Sequence, residues 1–415
     1  MRSDRAALLF ALTLCLAPAA GLQAQNLSGG EIRVNQQTAG MQWVPKVATA
    51  ADGRFVVVWD QSGEDANFVT ARLFDAAGRP RSGDLRVARV VKPMFGGPAV
   101  SMAPDGRFVV VWGGGVEDPN VVFGRRYAAD GSPLGARFRL SRPTKVAQFW
   151  PDVAMASDGS FVVVWDQDDG GISNEGSMTT DVFFRRFGAD GRPLGPEAPA
   201  IAGTEEQSSG RVATANGRFV VVCQSYTDGA FFGILARLFA SSGAPLSEEL
   251  TVSDDPYQVS QFEPAVAMAA DGRFAVTWTD AAGDFGRSPG FDDLRGVMAR
   301  FYAADGTPLS SQRHVNTFLQ GPQESPVVSA LPTGGFLVLW MSGASQDGDG
   351  FGIFSRTFGP AGNPGGEVRV NLDGKGSQIY PAVAVAPNGK GVVAWTGPDA
   401  SESGIFARLL RRVRP

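Results

Sequence analysis

The chain carries one histidine, His314, and two cysteines, Cys15 and Cys223, in 415 residues. A single imidazole and two distant thiols offer no zinc cluster. They also rule out a Ser-His-Asp arrangement on a plausible geometry. Lysine is scarce, at 5 against 32 arginines, and the net charge is −5. A nucleic-acid partner would want a basic surface, so that class is excluded. Beyond the first 24 residues, no apolar run approaches the ~20 residues that a membrane-spanning helix needs. Helical periodicity is weak throughout, whereas Gly (53) and Pro (27) are abundant. That balance predicts an all-β chain rich in turns.

Residues 1–24 have the pattern of a secretory signal peptide. Arg2 and Arg5 form its positive end, Ala6 to Leu16 its apolar stretch, and Leu22-Gln23-Ala24 its small-residue cleavage site. Leu14 stands before Cys15 where a lipoprotein would need a small residue, so lipidation is not expected. The expected location is periplasmic, extracellular or at the cell surface. A processed chain keeps Cys223 alone, and no intrachain disulfide can form. A monomer is expected.

Residues 25–415 read as one domain of seven repeats. The motif is Asp-Gly-x-Phe, three β-formers and Trp, as in Asp52-Gly53-Arg54-Phe55-Val56-Val57-Val58-Trp59. It ends at Trp59, Trp112, Trp165, Cys223, Trp278, Trp340 and Trp395, with spacings of 53, 53, 58, 55, 62 and 55 residues. Periods of this size belong to propeller blades. The expected blades lie near 41–88, 91–141, 146–200, 207–253, 261–316, 323–371 and 378–410. Each parses into four strands, A to D. Strand A is small-residued with Val at its third position in every repeat, from Val47 to Val383. The Asp-Gly that follows is a tight hairpin signal. Strand B is an unbroken apolar run, as expected between two neighbouring blades.

The sixth repeat ends in Gly365-Gly366-Glu367-Val368-Arg369-Val370-Asn371, and the seventh has no counterpart. The counterpart stands ahead of the first repeat, as Gly29-Gly30-Glu31-Ile32-Arg33-Val34-Asn35. A closed ring uses such a displaced strand to complete its last blade. The expected fold is a seven-bladed β-propeller of four-stranded antiparallel blades, with residues 31–35 closing the last blade against the segment near Ile405 to Leu409.

The B–C loops and D–A crossovers are the long, variable connections, so binding is expected on the face that they form. The B–C loops are acidic, with Asp60, Glu64 and Asp65 in the first repeat and Asp280, Asp284, Asp292 and Asp293 in the fifth. Glu117, Glu175 and Asp228 add to that face. Asp166-Gln167-Asp168-Asp169-Gly170-Gly171 and Asp347-Gly348-Asp349-Gly350 resemble parts of calcium loops, with Asp166, Asp168, Asp347 and Asp349 as candidate Ca²⁺ ligands. Neither run has complete EF-hand spacing. Gln42, Gln148, Gln261, Gln323 and Gln378 each stand three residues before the strand-A proline. With Trp43 and Trp150 beside them, Gln42, Gln148, Gln261 and Gln378 are candidate contacts for a sugar or peptide. Capping of the crossover backbone is the alternative role for these amides. Arg recurs in all seven C strands, and its expected partners are turn carboxylates such as Asp52 or Asp105. His314, on an outer strand, is expected to be an exposed bystander, and Cys223 an inert buried thiol.

Repeat six contains Trp340-Met341-Ser342, Gln346-Asp347-Gly348-Asp349-Gly350-Phe351-Gly352-Ile353 and Arg356-Thr357-Phe358. It resembles a repeat of many secreted and surface bacterial proteins, of the form W-x-S…Q-D-G-x-G-x-G-I-x-A-R-x-F. The resemblance implies an exported repeat domain and supplies no catalytic residues. Integrin-type propellers are similar only in general shape. The leading functional expectation is a non-enzymatic propeller that binds a protein, peptide or glycan on its loop face. The alternative is a hydrolase or lyase acting on a polysaccharide through loop carboxylates.

Overall fold

Each repeat forms a four-stranded antiparallel sheet in the computed structural model, and there are seven such sheets. The structure describes residues 27–411, apart from 64–65, 91–96, 115–117, 173–177, 202–205, 228–230, 255–259, 282–295 and 344–345. The expected signal peptide and the acidic residues Glu64, Asp65, Glu117, Glu175, Asp228, Asp284, Asp292 and Asp293 lie outside the described residues. Blade 1 consists of Gln42–Thr49 (strand A), Phe55–Gln61 (B), Asn67–Phe74 (C) and Leu85–Val90 (D). The A strands touch one another in a closed ring: Gln42–Thr49 meets both Ala99–Met102 of blade 2 and Ile379–Val385 of blade 7. Small side chains suit this strand because seven of them converge at the axis. No helix among the described residues is long and apolar enough to cross a membrane.

Blade 7 takes its outer strand from the other end of the chain. Leu27–Arg33 pairs antiparallel with Ser403–Leu410, with Ile32 opposite Ala407 and Arg33 opposite Phe406. The strand begins four residues earlier than residues 31–35 and crosses an irregularity between Ser28 and Ile32. Asn35 then does in blade 7 what Asn371 does in blade 6. Its Oδ1 accepts the Ile405 amide at 2.9 Å, as Asn371 Oδ1 accepts the Ile353 amide at 2.8 Å. An ion pair between Arg33 and Asp399 adds to the closure.

The core lies in the seams between blades. The strand-B tryptophans 59, 112, 165, 278, 340 and 395 are buried, and Cys223 fills the seventh place, also buried. Burial raises the Cys223 thiol well above its usual range, which makes it inert. Blades 1 to 5 each also stack an aromatic of strand B on one of strand C, as in Phe55 on Phe74 at 4.8 Å and Phe274 on Tyr302 at 4.7 Å.

The strand-C arginines correct the expectation drawn from sequence. Asp52 and Asp105 are taken by the neighbouring Arg54 and Arg107 within the same turn. The strand-C guanidinium reaches back one blade instead. Arg72 Nη1 donates to the Val34 carbonyl at 2.6 Å, Arg300 to Val252 at 2.9 Å and Arg408 to Val370 at 2.8 Å. The same guanidinium lies over the aromatic ring two residues on, as Arg72 lies over Phe74 at 5.5 Å. A long, planar donor suits a seam that a turn carboxylate could not reach. His314 is exposed on its outer strand.

Candidate functional site

Strand A enters from the loop face, and in six blades it carries one extra residue relative to strand B. In blade 1, Trp43 faces Asp60, but Lys46 faces Val58. The same shift occurs at 149/152, 208/211, 262/265, 324/327 and 379/382. Each is a β-bulge, a device that re-aims side chains and recurs beside active sites. At its centre the backbone turns left-handed: Val44, Trp150, Ser209, Glu263, Ser325 and Tyr380 have φ between 50° and 59°. Blade 2 has Gly97 at the equivalent place, with φ 67°. Left-handed geometry costs an L-residue about 1–2 kcal/mol, and most for a β-branched one such as Val44. Seven such positions form a ring where strand A begins, at the mouth of the central channel. Strain of this kind is stored at functional sites.

Strand B of the preceding blade holds the bulge. The residue after the repeat Trp accepts the amide of the left-handed residue in the next blade. Asp166 takes Ser209 N at 2.5 Å and Gly210 N at 3.1 Å. Gln224 Oε1 takes Glu263 N at 3.3 Å, Thr279 Oγ1 takes Ser325 N at 3.1 Å, and Met341 Sδ takes Tyr380 N at 3.1 Å. Asp60 is the equivalent residue of blade 1 and differs. It faces Gly97, where an added Cβ would lie 2.9 Å from Val44 and 3.6 Å from Asp60 Oδ2, so only glycine fits. Pro98 follows, with no amide to offer.

Asp60 is thus 7% exposed with no hydrogen-bond partner among the described residues, and burial alone raises its carboxyl to about 7. Asp166, 0% exposed, is also raised to about 7 by burial, against the pull of its two amides and of Arg211. One carboxyl is fully engaged in holding a bulge. The other is left with a proton near neutral pH and nothing to hold.

Below the ring the channel is charged. The Lys46 ammonium is brought down to about 8, first by burial and then by Arg211 of blade 4, against the opposing pull of Asp152 of blade 3 and Glu263 of blade 5. Lys46, Asp152 and Arg211 are the first paired residues after the bulge in the A strands of blades 1, 3 and 4, and Glu263 lies in the bulge of blade 5. The two acids already have donors. Asp152 Oδ2 accepts Val212 N at 3.0 Å, and Glu263 Oε2 accepts Ser325 N at 2.8 Å and Thr279 Oγ1 at 2.9 Å.

The sequence-predicted residues divide. Gln42, Gln148, Gln261, Gln323 and Gln378 are all buried at the start of strand A. Gln42 Nε2 donates to the Ala39 and Gly40 carbonyls at 3.0 and 2.8 Å, and Gln378 Nε2 to Lys375 and Gly376 at 3.0 and 3.2 Å. Gln323 Oε1 accepts the Trp340 indole at 3.0 Å. These amides cap the crossover, and a ligand would have to displace backbone to reach them. Gln207 does the same in blade 4, giving to the Ile201 carbonyl at 3.3 Å. Trp150 sits in the strained ring, half-buried against Phe149, and Trp43 lies half-buried across from Asp60. Asp347 is engaged by Asn371 Nδ2 at 2.8 Å, and Asp349 by the Gly376 amide at 3.0 Å. Asp166 serves blade 4, and Asp168 lies two residues beyond it on the same strand. Among the described residues, no three His, Cys, Asp or Glu side chains converge as a metal shell.

No family model and no curated protein matches the chain. Solved structures do. The polysaccharide lyase Uly1 is similar at TM-score 0.57 and 11% identity, with 95% of this chain and 94% of that one covered. A protein of unknown function from Dyadobacter fermentans gives 0.54 and 12%, covering 92% and 97%. The alpha-L-arabinofuranosidase Arb93A of Fusarium graminearum, in complex with an iminosugar inhibitor, gives 0.50 and 11%, covering 92% and 98%. At these identities the likeness establishes the seven-bladed propeller and no more. Against the expectation of a non-enzymatic propeller, the neighbours here whose names state an activity are enzymes, a polysaccharide lyase and an alpha-L-arabinofuranosidase, which favours the polysaccharide-acting alternative.

Proposed function

We propose that this protein cleaves a polysaccharide at the mouth of its channel, with Asp60 as the proton donor. The observation that carries the reading is the contrast between Asp60 and Asp166. Both carboxyls are raised to about 7, but only Asp60 is free of a structural duty. A sugar oxygen leaves a glycosidic carbon poorly unless it is protonated as the bond breaks. A buried carboxylic acid that keeps its proton near neutral pH supplies that proton. Hydrolysis and elimination share this need. Trp150 and Tyr380, aimed by the bulges of blades 3 and 7, are the aromatic platforms for sugar rings. The named neighbours, a lyase and an arabinofuranosidase, support a glycan substrate. The leader pattern and the secreted-repeat resemblance support export to where such polymers are met.

The test compares two substitutions that look alike on paper. Asp60→Asn should cut reducing-end release from the active polysaccharide by about 10²–10⁴-fold with the fold intact. Asp166→Asn should act mainly on melting temperature. A panel of neutral and acidic polysaccharides with no turnover by the wild type, or an Asp60→Asn enzyme with full activity, would contradict the reading.

A further inference from the structure

We propose that a cleft at the loop-face end of blade 7 is an accessory sugar subsite, which holds one neutral residue of the substrate chain a blade away from Asp60. The proposal rests on the glycan-cleaving reading and adds where the polymer is gripped. The cleft, about 260 Å³ with its open side, is lined by the aromatics Trp395 and Phe406, by Gly397 and Pro398, and by Glu31, Asp373 and Lys375. Two glycines make room for it. Gly397 and Gly404 face each other across strands B and C of blade 7. Blade 1 has Gln61 facing Phe68 at this place, and blade 6 has Ser342 facing Gly352. A Cβ added to Gly397 would lie 3.1 Å from the Phe406 ring and 3.6 Å from the Trp395 indole nitrogen. The glycine therefore leaves bare an aromatic pair whose rings stack at 6.5 Å. Phe406 is half-buried, and Pro398 is exposed.

Blade 6 fills the same place with a group of its own. There Ser342 Oγ holds Gln346, and Gln346 Nε2 donates at 2.8 Å to Glu367, the strand-D carboxylate equivalent to Glu31. In blade 7 the B–C loop residue Asp399 turns to Arg33 instead. Glu31 Oε1 takes the Leu372 and Asp373 amides at 2.5 and 3.3 Å, and its Oε2 accepts no hydrogen bond among the described residues. A ligand that donates is what this carboxylate lacks. Sugar hydroxyls donate to a carboxylate and accept from an ammonium such as Lys375, while the apolar face of the ring lies on an aromatic. The lining holds two carboxylates, Glu31 and Asp373, against the one ammonium of Lys375, a balance that disfavours an acidic sugar. The cleft is also joined to the mouth. Gln378 borders it, and Tyr380 of the left-handed ring follows two residues on. Ser403 Oγ donates to the Gln42 carbonyl at 3.0 Å, next to Trp43, which faces Asp60.

The probes are short oligosaccharides of arabinan, xylan, galactan and mannan, with oligogalacturonate as the acidic comparison. Titration calorimetry on the full chain should show binding of at least one neutral oligosaccharide, and weaker binding of oligogalacturonate. Gly397→Ser gives blade 7 the residue of blade 6 and fills the cleft. Lys375→Ala removes an exposed side chain and leaves the fold alone. Each should weaken the neutral oligosaccharide by about tenfold. On a cleaved polysaccharide each should raise KM by about as much and alter kcat little, since the contact is made equally before and during bond breaking. No binding of any neutral oligosaccharide, tighter binding of oligogalacturonate, or wild-type binding by both variants would overturn the subsite. Cleavage through Asp60 would then still stand by itself. A neutral oligosaccharide that binds through the cleft and is never cut would support the subsite and sink the proposed function.

Discussion

Asp60 is costly to the fold, and the cost can be measured. Burial raises its carboxyl from 3.8 to about 7, so between those values the folded chain holds a proton that the unfolded chain has lost. Stability therefore falls as pH rises from about 4 to about 7, and stays lower above that. The loss amounts to roughly 4 kcal/mol at most. Asp60→Asn removes this cost. The variant should be more stable than wild type at pH 8, equal to it near pH 4, and inactive, a trade seen where active sites are strained. Denaturant unfolding at the two pH values checks it; an unchanged pH slope would mean that Asp60 is not a buried acid. Asp166 contributes a slope of the same sign, which the variant keeps. The sequence could not separate these two residues, because Val-Val-Val-Trp-Asp-Gln surrounds both. What separates them is the next blade: Gly97-Pro98 has one amide, whereas Ser209-Gly210 has two. Nor did the acidic loop runs show that Asp347 and Asp349 bind Asn371 and Gly376. One oxygen of each carboxylate is engaged in this way, while Asp347 Oδ1 is buried without a partner among the described residues; a melting-temperature rise specific to Ca²⁺ over Mg²⁺ and matched ionic strength, and lost in Asp347→Asn, would mark that oxygen as a ligand, and equal responses would leave both carboxylates structural.

The strands were legible from period and turn chemistry. Asp52-Gly53 announced its hairpin, and Gly53 takes φ 89° there. The bulge in strand A was not legible, because it is a matter of register, and six of the seven left-handed positions carry an L-residue with no local reason to turn. The glycine at 97 and the proline that follows the site in five of those six repeats were the only signals. Gln207 was missed for a related cause: its repeat has Gly210 where the others have proline, so counting back from proline skipped it. A strained backbone has a distinctive mutational signature. At an ordinary strand position Ala is preferred to Gly by about 0.5–1 kcal/mol. At Tyr380, which is 38% exposed with φ 56°, the order should reverse. Tyr380→Gly should be more stable than Tyr380→Ala by about 1 kcal/mol. If Ala proves the better replacement, the left-handed ring is not present in solution.

At the scale of the whole molecule, seven sheets close one channel, and the loop-face site exists only while the ring is closed. Leu27–Arg33 and Asn35 are the latch. The closure was legible because the segment repeats Gly365 to Asn371 residue type by residue type. Deleting residues 27–36 should bare the edge of Ser403–Leu410, lower the melting temperature and promote association. A deletion variant that stays monomeric with the wild-type melting temperature would mean that the ring closes otherwise. Function is written far less plainly, since it depends on which of seven near-identical positions lacks a partner. The most direct test is the pH profile of kcat/KM on a cleaved polysaccharide, for the wild type and for Asp60→Asn. The account predicts activity that falls tenfold per pH unit above about 7, as Asp60 loses its proton, and that nearly vanishes at every pH in the variant. Activity that keeps rising through pH 8, or a variant with the same profile as the wild type, would contradict the assignment of Asp60 as the acid.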